Sequence, residues 1–399
     1  MTSAEPDVGG STLARLTGAK TVANVALRWI PPFLPTLEKA FGATTSQLTT
    51  IMGAGEFAGL STIVVGKHLD RGRERVVMVA ALLLVAASAV IATMGSLLTF
   101  AVAYFVLVLG VSNLTVAGQA WISHRVDYRW RARAIGLFET SWAIALLVGA
   151  PLIAVLINVF GWRGPFVAVA VASVAAAAMV AFTLPAPTRG TPNRVGFAGG
   201  DIDADADVAP PRKRTPITSS AWLVMIGSAS TAMAGLSVFV ISGSWLDDAF
   251  GVSTGGIGAV AMAFGAMELV ASLSVAGLTD RLGKLRSTIG GLVMVLVGLI
   301  VMTSAEQLWL GICGILLFLL GFEFGFVSSL SLVSEAMPDA RGATIAISNG
   351  VGTVARGGGA IVSGWLYGAY GLTGTACLSA AAAVGAMVAF AISRRVATS

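Results

Sequence analysis

The stretch Gly66-Lys67-His68-Leu69-Asp70-Arg71-Gly72-Arg73-Glu74-Arg75 is a charged turn between two long apolar runs. A related turn, Gly277-Leu278-Thr279-Asp280-Arg281-Leu282-Gly283-Lys284-Leu285-Arg286, also lies between two apolar runs. Both turns contain an Asp-Arg pair followed closely by glycine. This repetition predicts a chain built from two similar halves, with the charged turn at the same place in each.

The composition is that of a membrane protein. Of the 399 residues, 56% are hydrophobic and only 11% are charged, whereas a soluble domain carries about 25% charged residues. The 48 glycines suit helices that pack closely in lipid. Two histidines, two cysteines and the lack of a phosphate-binding glycine loop indicate no enzyme, no metal site and no cofactor.

Twelve apolar runs are long enough to be membrane-spanning helices, each of which needs about 20 apolar residues. We therefore predict an all-α membrane protein. The runs lie at 18–37, 46–66, 76–95, 98–122, 135–158, 165–184, 218–245, 255–278, 287–305, 308–333, 342–368 and 372–392.

The predicted domains follow from a polar interruption after the sixth run. Residues 1–184 form an N-terminal six-helix half, 185–217 a cytoplasmic linker, and 218–399 a C-terminal six-helix half. The linker is rich in Pro and Gly and carries the acidic run Asp201–Asp207, a composition typical of flexible connections.

Basic residues fix the predicted orientation. With both termini in the cytoplasm, 21 of the 25 Lys and Arg residues, including Arg15 and Lys20, lie on the cytoplasmic side, as the positive-inside rule requires. The net charge of +5 then faces the inner leaflet of the plasma membrane. This distribution gives no reason to expect a nucleic-acid partner.

Further segments repeat at an offset of 208 to 210 residues. With six spans in each half, both halves start on the same side of the membrane and are parallel repeats. Two such halves around an axis normal to the membrane are typical of one large class of transporters. The matched segments are Leu37–Gly42 with Leu246–Gly251, Asp70–Arg71 with Asp280–Arg281, Arg133 with Arg341, and Phe160–Gly164 with Tyr370–Gly374.

Charged residues inside the spans are the candidates for function. A charge at the bilayer centre costs about 2.5–3.5 kcal/mol on insertion scales, so such residues face a cavity or each other. Spans 3, 6, 9 and 12 contain none and are expected to face lipid. The candidates for the substrate and proton pathway are Arg28, Glu56, Glu139, Glu268, Glu323 and Arg356.

Desolvation raises the pKa of a carboxylate, and a nearby arginine lowers it. A glutamate under both influences can take up and release protons. Arg28 and Glu56 lie near the middle of consecutive spans and can pair, and Glu323 and Arg356 are the analogous candidates in the second half. Static ion pairs between helices are the alternative interpretation. Elsewhere in the spans, Asn113 and Trp142 either add a hydrogen bond and an aromatic wall to the pathway or simply pack.

The charged turns resemble the loop motif of the major facilitator superfamily, Gly-x-x-x-Asp-Arg-x-Gly-Arg-Arg. The first copy has its second glycine one residue early, at Gly72, and the second copy has Ala276 in place of the leading glycine. The resemblance implies two six-helix halves, usually a monomer, and residues that hold the inward side closed. It assigns this gating role to Gly66, Asp70, Arg71, Asp280 and Arg281.

Span 5 is similar to the antiporter motif of drug and metabolite exporters, in a form close to arabinose-efflux-like permeases. Gly149 and Pro151 correspond to the Gly-Pro that ends that motif, with one extra residue between them, and the resemblance implies close helix packing there. The span 4 arginine of the exporters is replaced by Val106, which leaves Arg28 as the candidate substitute.

Three functions remain open. The first is proton-coupled efflux of a small organic molecule by alternating access, with the substrate, protons and the lipid bilayer as partners. The second is uptake of a small organic anion contacted by Arg28 and Arg356. The third is a membrane sensor that transports nothing.

Overall fold

The computed structural model describes residues 10–69, 71–184, 217–337 and 341–398, and the regular elements in these ranges are all helical. Within these ranges, ten helices are long and apolar enough to cross a membrane. One of them, Thr344–Val396, has 53 residues, a length of about 80 Å at 1.5 Å per residue, and therefore crosses twice. A broken first crossing completes the twelve predicted spans.

The described residues before Leu184 form helices that alternate with short turns. Their bounds are α1 (Gly10–Arg28), α2 (Leu34–Phe41), α3 (Thr45–Glu56), a 3₁₀ helix (Phe57–Ser61), α4 (Thr62–Leu69), α5 (Glu74–Ala92), α6 (Leu97–Arg125), α7 (Tyr128–Glu139), α8 (Ser141–Leu147), α9 (Gly149–Phe160) and α10 (Arg163–Thr183).

The second half repeats this order with fewer interruptions. Its helices are α11 (Ser219–Phe239), α12 (Ser242–Phe250), α13 (Thr254–Leu282), α14 (Lys284–Thr303), α15 (Leu308–Glu335) and α16 (Arg341–Thr398). The backbone of α16 leaves the helical region at Gly371. The predicted linker, 185–217, lies almost wholly outside the described residues, so the domain boundaries stay a prediction.

Prolines break two crossings that the apolar runs predict to be continuous. Pro31 and Pro32 separate α1 from α2, because proline has no backbone N–H and its ring clashes with the preceding turn. Pro151 does the same in the fifth crossing, where its ring opposes the carbonyl of Leu147, the last residue of α8. These breaks leave backbone groups free for other partners near the middle of the membrane.

Glycine conformations confirm the internal repeat. Gly42 and Gly251 end equivalent helices in the left-handed region, with φ of 60° and 62°. Gly161 and Gly371 have φ of 68° and 60° at equivalent turns. Because only glycine adopts these angles without strain, the repeat is conserved in backbone geometry as well as in residue type.

The uncharged crossings lie at the periphery, as predicted. Helices α5 and α10 pack against other helices of the first half, and α14 packs against α13, α15 and α16 of the second. On α5, Val76, Leu83 and Val90 are 59%, 47% and 58% exposed and recur every seven residues on one face. Such an apolar outward face suits contact with lipid.

The two halves meet mainly on one side of the membrane. We call it the outer side, opposite the charged turns, in keeping with the predicted orientation. There α3 packs against α16, α8 and α9 pack against α13, and α2 contacts α12. Gly243 in α12 lies so close to the Pro32 carbonyl that it leaves no room for a Cβ. At the inner side, α4 packs against α5 and α6 of its own half.

Candidate functional site

A buried polar stripe on α1 organises the site. Lys20, Asn24 and Arg28 are four residues apart and therefore share one face of the helix. They are only 2%, 0% and 4% exposed. Each has a partner on the fifth or eighth crossing, so this face of α1 is turned toward the interior of the protein.

Arg28 forms the central ion pair. Its Nη1 donates to Oε2 of Glu268 at 2.6 Å, and its Nη2 donates to Oε1 of the same carboxylate. Nη1 also donates to the Trp142 carbonyl at 2.8 Å, close to the break in the fifth crossing. Both charged side chains are 4% exposed. A bidentate pair of this kind is strong and fixed in orientation.

Aromatic rings enclose the same guanidinium. The Arg28 Cζ lies 4.3 Å from the centre of the Trp142 ring and 5.5 Å from that of Phe239, within the range of cation–π attraction. Trp142 is therefore part of the central site, where it contacts Arg28 through both its ring and its backbone carbonyl.

The pairing predicted from consecutive spans is wrong. Arg28 binds Glu268 rather than Glu56, and the Arg356 Nε donates to Glu56 Oε2 at 3.1 Å rather than to Glu323. The prediction failed because it used neighbours in sequence, whereas the partners lie across the interface between halves. Each arginine thus joins its own half to the other.

Glu323 lies beside the central pair but outside it. The side chain is half-buried, and the charges of Glu268 and Arg28 both act on its carboxylate. It forms no ion pair or hydrogen bond with the described residues. The neighbouring Phe322 and Phe326 rings stack with centroids 5.7 Å apart, and Phe322 fills the space that a Cβ of Gly235 would occupy.

Lys20, which is buried, and Glu139, which is partly exposed, form a second cluster nearer the inner side. The Lys20 Nζ donates to Glu139 Oε2 at 2.5 Å and lies 4.4 Å from the centre of the Phe138 ring. Gln119 donates to the other carboxylate oxygen at 2.9 Å. Lys20 was counted among the cytoplasmic charges, and this assignment is wrong. Its spacing from Asn24 and Arg28 was the overlooked signal.

Asn113 forms hydrogen bonds within the first half. Its Nδ2 donates to Ser61 Oγ at 2.9 Å and to the Leu109 carbonyl at 2.8 Å, which ties α6 to the 3₁₀ helix. The Oδ1 atom is buried without a protein partner. The contacts of its amide nitrogen therefore belong to the packing of the first half.

The displaced glycine of the first charged turn still makes the turn. Gly72 has φ of 70°, and Gly283 in the second copy has φ of 88°. Arg71 and Arg281 are exposed, and Gly66 has open space around it. Asp70 and the Asp280 side chain lie outside the described residues. The gating role of these five residues stays a prediction.

The end of the first turn is anchored to α6. Glu74 is 1% exposed, and its Oε1 lies 2.5 Å from His124 Nδ1 and 3.6 Å from Arg125 Nη1. Arg75 donates to the Ala181 and Leu184 carbonyls at the end of α10. This charged segment therefore links three crossings at the inner side.

Gly149 brings the fifth crossing close to the first. A Cβ at this position would lie 2.6 Å from Val25 Cγ2, so only glycine fits. Pro151 follows within the same turn of α9 and accounts for the break before it. The two residues thus place α8, with Trp142, against α1, with Arg28.

A cleft opens at the outer side between the halves. Its volume is about 630 Å³, and Pro35, Lys39, Trp162 and Asp247 are among its lining residues. The Lys39 Nζ donates to Asp247 Oδ2 at 3.0 Å, and Ser244 donates to Glu38 at 2.8 Å. Both bonds join one half to the other and help hold the outer side closed.

Comparisons with known proteins agree with this architecture. A bacterial homologue of the human lysosomal transporter Spinster, inward-facing and occupied, superposes with a TM-score of 0.79 at 15% identity, over 98% of each chain. The D-xylose–proton symporter gives a TM-score of 0.71 at 14% identity, over 94% of this chain and 96% of its own. At these identities the likeness concerns the fold.

Sequence comparisons give the family. An uncharacterised MFS-type transporter, YwfA of Bacillus subtilis (strain 168), is 28% identical over 141 residues, which is 34% of each chain. The match thus spans about a third of that relative. The family model of the major facilitator superfamily matches residues 18–359. The chain therefore belongs to the major facilitator superfamily of membrane transporters.

Proposed function

We propose that this protein is a secondary transporter that exports a small organic molecule in exchange for protons. The observation that carries the proposal is Glu323, a mid-membrane carboxylate without a partner among the described residues, next to the Arg28–Glu268 pair. A proton binds such a group at little cost, because no ion pair has to break first.

The arrangement of the halves supports transport by alternating access. Arg28, Glu268 and Glu323 lie where the two halves meet. The contacts between the halves are concentrated on the outer side. Rocking of the halves about this centre would close the inner side and open the outer one. In that cycle Glu323 releases its proton at the inner side and binds the substrate from that same side, and at the outer side a new proton replaces the substrate.

Export rather than uptake rests on the fifth crossing. Gly149 and Pro151 resemble the end of the exporter motif, with one extra residue between them, and they position Trp142 beside Arg28. Uptake of an organic anion receives less support, since the guanidinium groups of Arg28 and Arg356 both bind carboxylates of the protein.

The remaining parts of the proposal concern the location, the orientation and the oligomeric state of the protein, and the gate at its inner side. We place the protein in the plasma membrane with both termini in the cytoplasm, as a monomer that needs no cofactor. Asp70, Arg71, Asp280 and Arg281 would close the inner side in the other half of the cycle.

The test uses purified protein in proteoliposomes. Compounds that raise the thermal stability of the protein are selected first, because ligands of the folded state stabilise it. Their flux is then measured with and without an imposed pH gradient. We expect the gradient to drive flux in the wild type and not in Glu323→Gln. Flux that ignores the gradient would contradict proton coupling.

A further inference from the structure

The charges of the described mid-membrane groups do not balance. Three cations and four carboxylates among the described residues lie inside the crossings, between their inner and outer ends. Three ion pairs account for all but one of them: Lys20 with Glu139, Arg28 with Glu268, and Arg356 with Glu56. Glu323 is the remaining group. When Glu323 is ionised, these mid-membrane groups together carry one uncompensated negative charge.

The surroundings of this charge are aromatic. Phe322 and Phe326 flank Glu323 on α15, and their rings are nearly parallel, with an interplanar angle of 21°. The face of Trp142 is already covered by Arg28. Phe326 lies one turn from Glu323 on the same face of α15, and its stacking on Phe322 makes the pair an aromatic surface beside that face. Aromatic faces attract cations as well as apolar groups.

We propose that the central site takes an organic cation, an ammonium or phosphonium centre on an apolar or aromatic body. The positive centre would lie against the Glu323 carboxylate, and the body would pack on Phe322 and Phe326. An anion would have to displace a carboxylate from Arg28 or Arg356 before finding a counter-charge. This inference rests on the proposed transport function and names the substrate class for it.

A cation and a proton would then compete for one carboxylate. The charged groups that act on Glu323 from the packed helices are Glu268 on α13 and Arg28 on α1, and these two neutralise each other. Protonation of Glu323 removes the uncompensated charge of the described mid-membrane groups, so cation binding should weaken as the pH falls. That competition is also what exchange of a cation for a proton requires.

The experiment compares two ions of nearly equal size and opposite charge, tetraphenylphosphonium and tetraphenylborate. Equilibrium binding to the purified full-length protein is measured without any gradient. We expect tetraphenylphosphonium to bind the wild type, more weakly at lower pH, and at least tenfold more weakly to Glu323→Gln (about 1.4 kcal/mol). Tetraphenylborate should not respond to this substitution.

The matched control is Glu335→Gln. Glu335 lies on the same helix but at its inner end, is 54% exposed and pairs with Lys284, so its loss should leave tetraphenylphosphonium binding unchanged. Phe326→Ala should weaken that binding while preserving its dependence on pH. If Glu323→Gln does not fold, the wild type alone tests the proposal. The test is then the pH dependence of tetraphenylphosphonium binding and the preference for this ion over tetraphenylborate.

Unchanged tetraphenylphosphonium binding in Glu323→Gln, or tighter binding of tetraphenylborate by the wild type, would overturn the proposal. Neither result would affect proton coupling, which is measured separately by flux of a stabilising compound. Conversely, the protein could bind cations through Glu323 while its flux ignores the pH gradient. That result would support the cation site and contradict the antiport mechanism.

Discussion

Two of the ion pairs that join the halves differ in the exposed fraction of their side chains. Arg28 and Glu268 are 4% exposed each and share two hydrogen bonds. Arg356 and Glu56 are 34% and 18% exposed and share one bond of 3.1 Å. The first pair also binds a backbone carbonyl and two aromatic rings, whereas the second adds a hydrogen bond to Thr353.

This difference assigns different physical roles to similar residues. Removing one partner from a buried pair leaves an uncompensated charge in a medium that cannot hydrate it. A pair reached by water loses little, because each charge can be solvated separately. We infer that Arg28–Glu268 sets the electrostatics of the site, while Arg356–Glu56 is a contact that the halves can release.

The largest effect should come from breaking the buried pair. Arg28→Gln or Glu268→Gln should each destabilise the protein by about 3–5 kcal/mol, as found when one member of a buried pair is removed. Transport should be lost in both. Thermal unfolding of the purified variants measures the stability. The double variant is the control, because it leaves no unpaired charge and should recover part of the lost stability.

An intermediate and asymmetric effect is expected at Lys20–Glu139. Lys20 is 2% exposed, and Glu139 is 41% exposed. Glu139→Gln leaves a buried ammonium unpaired and should cost about 3 kcal/mol. Lys20→Met leaves a carboxylate that water can reach and should cost less than about 1 kcal/mol. Thermal unfolding of the two variants side by side would show the order, and the reverse order would contradict the burial argument.

The smallest effect should be at Arg356. Arg356→Gln should change stability by less than about 1 kcal/mol, since partly exposed pairs contribute little. The contribution should also shrink at high salt, because ions screen charges that water reaches. Unfolding temperatures of wild type and variant at low and high salt provide the measurement. A loss as large as that of Arg28→Gln would remove the distinction between the two pairs.

The sequence predicts the fold well because each crossing is determined by residues that are close together in the chain. Length of the apolar runs, the repeat and the charged turns are all properties of contiguous residues. The breaks in the first and fifth crossings are also local, since Pro31, Pro32 and Pro151 are visible in the sequence. A count of apolar runs does not detect them, because proline does not interrupt the hydrophobicity of a run.

The charged residues inside the crossings were predicted, but their pairing was not. The charged residues stand out because charge is rare inside apolar runs. Which carboxylate meets Arg28 depends on the rotation of each helix and on how the halves dock, and Glu268 is 240 residues away. Lys20 was misplaced because its position near the start of a run outweighed its spacing from Arg28.

The polar stripe on α1 also constrains how the protein is made. The first crossing carries two buried cations, each of which costs about 2.5–3.5 kcal/mol to insert alone, and α1 is not among the ten apolar spanning helices. Its counter-charges, Glu139 and Glu268, are synthesised 119 and 240 residues after their partners. Until they arrive, the first helix is held in the bilayer without neutralisation, so its stable insertion is completed by later parts of the same chain.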